Sequence, residues 1–298
     1  MTNDHRTGLV GLGVMGSAIA RRLLDTHHDL TVFDVRQDVM DEFAAAGARP
    51  ASSPSELSTC DVVVLSLNTA EVVEKVVFGP DGILAQTVDD LLIVDMSSID
   101  PAQTRAFADR VTGLGGRWVD APLSGGAPAV ARGELTLMLG GTDDDVADAT
   151  RTLTDLAATI THLGPAGSGQ LVKLVNQVLV GCAFGAMAEA ATMVRSAGLA
   201  PAQVLTALTG GRADSRVLQE FFLKFADVDL TPTGRISNMV KDLETARDYA
   251  RSANIPLPVT TTVSEVHRWL AASGHGAADN AALMLYYDTT ADAEGLGQ

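Results

Sequence analysis

Cysteine is nearly absent from this 298-residue sequence, which has only Cys60 and Cys182. They lie far apart without a C-x-x-C spacing, which excludes a disulfide scaffold, fits a reducing cytoplasm and marks both as core thiols. Basic residues are also scarce: 21 Lys and Arg stand against 37 Asp and Glu, for a formal net charge of −16. That balance argues against nucleic acid or an anionic membrane as partner, and any acidic ligand must be held by local groups against the overall field. The six histidines, at 5, 27, 28, 162, 267 and 275, lack ligand spacing, so no metal site is expected. Repeats and low-complexity segments are missing too. The first apolar stretch, residues 9–20, is broken by Gly11, Gly13 and Gly16 and resembles neither a signal segment nor a membrane span. Residues 171–194 are long and apolar enough to span a bilayer, but Lys173, Asn176, Gln177 and Glu189 inside them argue against it. A globular, cytoplasmic protein with no membrane partner is expected. With 46% apolar residues, the chain can build the sizeable cores of two domains.

Residues 7–12 read as a short buried strand that Gly11-Leu12-Gly13-Val14-Met15-Gly16 turns into a helix over residues 17–24. A lone G-x-G-x-x-G is a weak signal. Here a second strand, residues 30–33, follows and ends in Asp34, 18 residues after Gly16 and close to the roughly 20 expected of a ribose-binding acid. The first glycine permits the tight turn, the second lets a pyrophosphate approach the backbone, and the third lets helix and strand pack closely. The helix N-terminus supplies N–H donors. These features predict a dinucleotide site made by the six-residue fingerprint with Asp34, Val35 and Arg36. Asp34 accepts ribose hydroxyls and repels a 2′-phosphate, favouring NAD; Arg36 nearby keeps NADP open.

Strand and helix continue to alternate. Ser53-Pro54 opens a short helix, residues 61–67 form a strand, and residues 69–77 a helix. Residues 91–95 are a strand, and Asp100-Pro101 caps a helix to about residue 111. This is a doubly wound parallel sheet, whose ligands lie beyond the carboxyl ends of the strands. Those ends carry Leu67-Asn68, Ser97-Ser98 and, after Trp118-Val119-Asp120, the loop Ala121-Pro-Leu-Ser124-Gly125-Gly126. A Ser-Gly-Gly loop offers N–H and hydroxyl donors that can hold a carboxylate; the plain alternative is a flexible turn. Two further strands, residues 135–139 and 159–163, flank a helix from about Asp143, and the dinucleotide-binding domain is expected to cover residues 1–163.

After the glycine-rich entry Gly164-Pro-Ala-Gly167-Ser-Gly169, every residue to Ala197 is compatible with helix and Gly198 suits a left-handed stop. This predicts one helix of roughly 45 Å at about 1.5 Å per residue. Its apolar residues fall on nearly every side, which predicts burial, partly beneath a second subunit, so a homodimer or homotetramer is expected. Lys173, Asn176 and Gln177, at i, i+3 and i+4, share one face. A buried lysine is costly unless used or paired. The plain alternative has Lys173 snorkelling and the carboxamides capping stray backbone groups. Only helical patterns follow (residues 201–208, 215–225, 236–252, 259–272 and 278–287), so residues 164–298 are expected to be an all-helical substrate and oligomerisation domain. Phe221, Phe222, Leu285 and Tyr286 read as its core or subunit contacts.

Five motifs in order, residues 8–16, Asp95-Met-Ser-Ser98-Ile-Asp-Pro101, Asp120-Ala-Pro-Leu-Ser-Gly-Gly126, residues 164–177 and Lys241-Asp242-Leu243, resemble the β-hydroxyacid dehydrogenase family. Its members include 3-hydroxyisobutyrate dehydrogenases and tartronate semialdehyde reductases. The resemblance spans nearly the whole chain. It implies a Rossmann domain followed by a 6-phosphogluconate dehydrogenase-like helical domain, with the site between them. It further implies Lys173 as the catalytic residue and Ser124, Gly125 and Gly126 as the substrate carboxylate loop. Leu67, Asn68, Ser98 and Lys241 become cofactor contacts, with Asn176 and Gln177 at the substrate. The family often has Pro at the position of Asn68, Thr at that of Ser98 and a second Asn at that of Gln177. The Asn-Gln form is more similar to the tartronate semialdehyde reductase branch.

The implied chemistry agrees with the residues. Hydride transfer to a carbonyl leaves an alkoxide that needs a proton, and an ammonium on a dry helix polarises the C=O and donates that proton. In oxidation the neutral amine accepts it, so burial that lowers the lysine pKa helps. Gln177 can orient the hydroxyl or carboxylate. The expected substrate is a small anionic hydroxy acid or aldehydo acid. Two alternatives remain: an imine reductase of the same architecture, a group that usually lacks lysine at the position of Lys173, and a non-catalytic dinucleotide-binding reader module. Arg212, Asp214, Ser215 and Arg216 are candidates for reading the distal part of the substrate, with surface salt bridging as the plain alternative.

Overall fold

A computed structural model describes residues 5–86 and 88–292. The chain divides into two compact units, residues 1–173 and 174–298, with the division falling inside one long helix.

The first unit runs β1 (Arg6–Val10), α1 (Val14–Asp25), β2 (Asp29–Phe33), α2 (Gln37–Ala45), β3 (Arg49–Pro50), a 3-10 helix (Pro54–Thr59), β4 (Val62–Leu65), α3 (Ala70–Phe78), β5 (Leu92–Asp95), α4 (Pro101–Gly113) and β6 (Arg117–Asp120). There follow β7 (Leu123–Ser124), α5 (Gly126–Arg132), β8 (Leu135–Leu139), α6 (Asp143–Leu153) and β9 (Ala157–His162). Six strands pair in parallel in the order β3-β2-β1-β4-β5-β6, a Rossmann sheet whose reversal point lies between β1 and β4. Its central strands are apolar without alternation because both faces are covered. Val62 and Val64 pack into one core with Ile19, Leu23 and Phe43, while Val63 and Leu65 pack into the other with Leu57, Val73 and Trp118.

The later strands expected from the sequence do not extend this sheet. β7, β8 and β9 form a separate three-stranded sheet in which β7 runs antiparallel to β8. Residues 121–126 hold β7 and the start of α5 rather than a plain loop. Glycines at 125 and 126, both with positive φ, let the chain turn from β7 directly into α5.

The long helix α7 (Ser168–Ser196) ends before Gly198, whose φ of 65° supplies the expected left-handed stop. Helices α8 (Pro201–Leu208), α9 (Arg216–Ala226), α10 (Ile236–Ser252), α11 (Pro258–Leu270) and α12 (Leu283–Asp292) complete the second unit. Short π and 3-10 turns lie between the last two. Phe184, Met187, Phe222, Phe225, Leu243 and Leu270 form its core. Gly181 and Gly185 let neighbours close in: a Cβ at Gly185 would stand 2.8 Å from a Val263 methyl.

Burial of α7 on every side does not occur within one chain. Leu174, Phe184, Met187, Ala191 and Val194 are buried, but Val175 is 52%, Leu179 67% and Met193 72% exposed. Among the described residues, Phe184, Met187, Ala188, Ala191 and Val194 of α7 join the core of its own unit. Among the described residues, α7 alone is long and apolar enough to cross a membrane, with 28% of its most apolar stretch buried.

Candidate active site

The fingerprint turn is built as its three glycines require. Gly11, with φ of 93°, donates its N–H to the Phe33 carbonyl at 2.9 Å, and a Cβ there would stand 2.3 Å from the Ser66 carbonyl oxygen. A Cβ at Gly16 would lie 1.7 Å from the Gly11 carbonyl oxygen, so α1 can cross β1 only with glycine at that position. At Gly13 a Cβ would meet nothing within 4 Å. This is open space at the N-cap of a helix that no side chain caps. Tight, packed and open in turn, the three positions fit a pyrophosphate lying against the N–H groups of Val14, Met15 and Gly16. Val14 and Val35 are 75% and 90% exposed on this side. A cleft of about 620 Å³ adjoins the turn, lined by Leu12, Gly13, Val14 and Ser17 together with Arg36 and, from α5, Ala127.

Asp34 follows β2. One carboxylate oxygen accepts the Leu12 N–H at 2.7 Å; the other accepts the Arg36 N–H at 2.9 Å and the guanidinium at 3.1 Å. Arg36 also donates to the Leu12 carbonyl at 2.6 Å. Burial alone would raise the Asp34 carboxyl, but the Arg36 guanidinium and the two backbone N–H groups outweigh it and hold the acid below its ordinary range. The structure thus ties Leu12, Asp34 and Arg36 into one cluster.

Leu67 and Asn68 follow β4, and the Leu67 N–H donates to the Ser97 hydroxyl at 3.0 Å, joining the ends of β4 and β5 beside Ser98. Lys173 lies in the second turn of α7, and its Nζ donates to the Leu123 carbonyl at 2.8 Å. Leu123 precedes Ser124, so the lysine and the Ser124-Gly125-Gly126 segment come together within the first unit.

Asn176, Gln177 and Lys241 belong to the second unit. Asn176 donates to the Gln177 side-chain oxygen at 2.9 Å, and Gln177 donates to Asp242 at 2.5 Å. Asp242 is paired with Lys241 at 3.3 Å. Asp242 thereby links three candidate residues although sequence reasoning assigned it no role. Its signal was its place in Lys241-Asp242-Leu243. Asp120 and Gln170 were missed too, because their partners lie far along the chain. Arg216 and Asp214 are engaged locally, Arg216 with Glu220 at 2.7 Å and Asp214 with the Gly210 N–H at 2.6 Å.

Among the described residues, no group of three or more His, Cys, Asp or Glu could hold a metal ion. Cys60 is buried, and burial pushes its thiol up to about 11, as for an inert core cysteine.

Comparison with known proteins places this geometry in context. Residues 6–164 match the NAD binding domain of 6-phosphogluconate dehydrogenase, and residues 167–287 the NAD-binding family of NADP-dependent 3-hydroxyisobutyrate dehydrogenase. The chain is 33% identical to L-threonate dehydrogenase of Cupriavidus necator, over 94% of this chain and 95% of that protein. It is 34% identical to 2-hydroxy-3-oxopropionate reductase of Escherichia coli, over 94% and 96%. The crystal structure of 3-hydroxyisobutyrate dehydrogenase from Salmonella typhimurium superposes with a TM-score of 0.86 at 28% identity, covering 95% of this chain and all of that one. With an open-glycine dinucleotide turn and full-length relatives of this kind, the chain belongs to the β-hydroxyacid dehydrogenase family, NAD(P)-dependent oxidoreductases acting on CH–OH groups.

Proposed function

We propose that this enzyme moves a hydride between NAD(H) and a small β-hydroxy acid or its semialdehyde, of the 3-hydroxyisobutyrate or tartronate semialdehyde type, with Lys173 as general acid and base. The observation that carries this reading is the 2.8 Å bond from Lys173 Nζ to the carbonyl of Leu123, the residue before Ser124. It sets an ammonium beside the donors assigned to a carboxylate. The bound dinucleotide supplies or accepts the hydride. In reduction, Lys173 gives a proton to the oxygen on which negative charge develops; in oxidation its neutral amine takes the hydroxyl proton. Ser124 and the N–H groups of Gly125 and Gly126 hold the carboxylate, while Asn176 and Gln177 orient the reacting oxygen. The Gln177 carboxamide is held for this by Asp242.

NAD(H) is favoured because Asp34 carries a full negative charge where a 2′-phosphate would lie, and the charge of Arg36 is directed onto Asp34 and Leu12. Leu67, Asn68, Ser98 and Lys241 are assigned to the cofactor. The relatives are named for L-threonate, 2-hydroxy-3-oxopropionate and 3-hydroxyisobutyrate, all small carboxylates with a hydroxyl near the acid, which supports the substrate class.

Initial rates of NADH and NADPH oxidation against small aldehydo and keto acids test the reading. Turnover should be highest with NADH and a semialdehyde acid, and Lys173→Ala should bind dinucleotide normally while losing kcat by orders of magnitude. Better turnover of uncharged aldehydes or cyclic imines than of any carboxylate would overturn it in favour of imine reduction. The exposed stripe Val175, Leu179 and Met193 supports a homodimer or homotetramer; light scattering of Leu179→Glu should then show a smaller assembly than wild type.

A further inference from the structure

Among the described residues, four α-helices are capped by the side chain of the residue just before them, Thr69, Asp100, Thr142 and Ser215. The start of α7 is held differently. Asp120, the last residue of β6, is fully buried, and its two oxygens accept the N–H groups of Gly167 at 2.7 Å and Gln170 at 2.9 Å. The first of these bonds spans 47 residues. A local cap stabilises a helix end wherever that end lies, whereas a cap reaching from a distant strand also fixes where the helix lies.

We propose that Asp120, together with Gln170, positions the catalytic lysine by setting the rotation and axial placement of the first turns of α7, residues 168–173, against the strand ends. The proposal rests on the reading of Lys173 as general acid and base. Three residues beyond Asp120, the Leu123 carbonyl accepts Lys173 Nζ at 2.8 Å; three residues beyond Gln170 stands Lys173 itself. Residues 120–123 and 170–173 therefore form a closed ring, tied at one end by carboxylate to backbone and at the other by ammonium to carbonyl. The Gln170 carboxamide adds a second tie: its nitrogen donates to the Ser97 carbonyl at 2.7 Å and its oxygen accepts the Ile99 N–H at 3.2 Å, on either side of Ser98.

Packing leaves little slack around this ring. A Cβ at Gly140 would stand 2.6 Å from one Asp120 oxygen. At Gly169 it would stand 2.8 Å from the other and 2.2 Å from the Met138 carbonyl oxygen. The helix thus lies against the carboxylate and the sheet with glycine as the only spacer. Proton transfer is steep in distance, and a displacement of about 1 Å can lower a rate on the order of 100-fold. Loosening the strap should therefore slow turnover without touching the dinucleotide turn.

A double-mutant cycle on the full-length enzyme tests this. Asp120→Asn keeps the shape and loses one acceptor. It should retain the wild-type near-ultraviolet circular dichroism and NADH affinity within about twofold, while kcat falls on the order of tenfold or more. In single-turnover measurements on the Lys173→Ala background, the same substitution should cause no further loss, because a residue acting through Lys173 has nothing left to position. Should Asp120→Asn fail to fold, Gln170→Leu is carried through the same cycle with the same expectation for kcat on the two backgrounds. A kcat within twofold of wild type, or a loss repeated in full on the Lys173→Ala background, overturns the proposal. Near wild-type turnover of Lys173→Ala alone removes the reading beneath it, whereas an unaffected Asp120→Asn beside an inactive Lys173→Ala removes the positioning role alone.

Discussion

Asp34 has both carboxylate oxygens engaged by Leu12 and Arg36 within the chain, and this arrangement bears on cofactor choice. Each oxygen retains accepting capacity for a ribose hydroxyl, and its depressed pKa keeps the group anionic throughout the neutral range. A 2′-phosphate brought here would face that anion, with Arg36 already bound to it. NAD(H) should accordingly exceed NADP(H) in kcat/KM, and Asp34→Ser should narrow the ratio by tenfold or so through loss of repulsion and of charged hydrogen bonds, each about 1.5–3 kcal/mol. Ratios of kcat/KM for the two cofactors check this; a wild type preferring NADP(H) would make Arg36 the phosphate ligand. Asp34 was legible as a residue because it stands at a fixed offset from the glycine fingerprint, and Lys173 because an ammonium stands out on an otherwise apolar helix; the roles given to them are those of the proposed function. Asp120 was legible only as part of a motif, since a buried acid ending a strand carries no local sign of which N–H groups it will meet.

The dinucleotide turn separates stability from binding at the scale of a single element. Gly13 has φ of −63° and ψ of −170°, allowed to any residue, and open space around it. Gly13→Ala should leave the unfolding midpoint in urea nearly unchanged, within about 0.5 kcal/mol. Its methyl would stand where the pyrophosphate approaches, so NADH affinity should drop by about tenfold or more, readable by fluorescence titration. Gly16→Ala should fail in the opposite order, losing the fold first, because its methyl would fall 1.7 Å from the Gly11 carbonyl oxygen.

In α11, His267 is fully buried, and burial outweighs its bond to the Val263 carbonyl and the influence of Asn280, lowering its pKa below the ordinary value. A histidine whose folded pKa is depressed is neutral in the native state. Its contribution is fully present above the unfolded value near 6.5 and is lost as pH falls toward and through the folded pKa. Urea midpoints should therefore decline below about pH 6.5 more steeply in wild type than in His267→Gln. Equal slopes for the two proteins would show that His267 does not contribute.

For the molecule as a whole, a net charge of −16 repels the anionic substrate assigned to it. Under the proposed function, binding then rests on short-range donors from Ser124, Gly125, Gly126 and Lys173. A methyl ester or amide of the substrate should lose most of kcat/KM because it leaves these donors poorly paired. Moderate salt should lower KM slightly or leave it unchanged, since it screens distant repulsion more than close contacts. A KM that rises steeply with salt would point instead to an exposed basic patch as the main attraction.

Much of this protein was decided locally and could be read directly. The glycine fingerprint and the acid after β2, the cap at Asp100, and the stop at Gly198 each express a backbone angle or hydrogen bond confined to a few residues. The alternation of strand and helix likewise announced a doubly wound parallel sheet. Tertiary structure alone decided that β7 to β9 form a sheet of their own, because antiparallel pairing of β7 with β8 depends on how the chain turns after β6. Long-range pairing also decided that Asp242 holds Gln177 and that Asp120 straps the start of α7. The half-exposed face of α7 belongs with these, for an all-round apolar helix states only that cover is needed, and the packing of the other helices determines which side receives it.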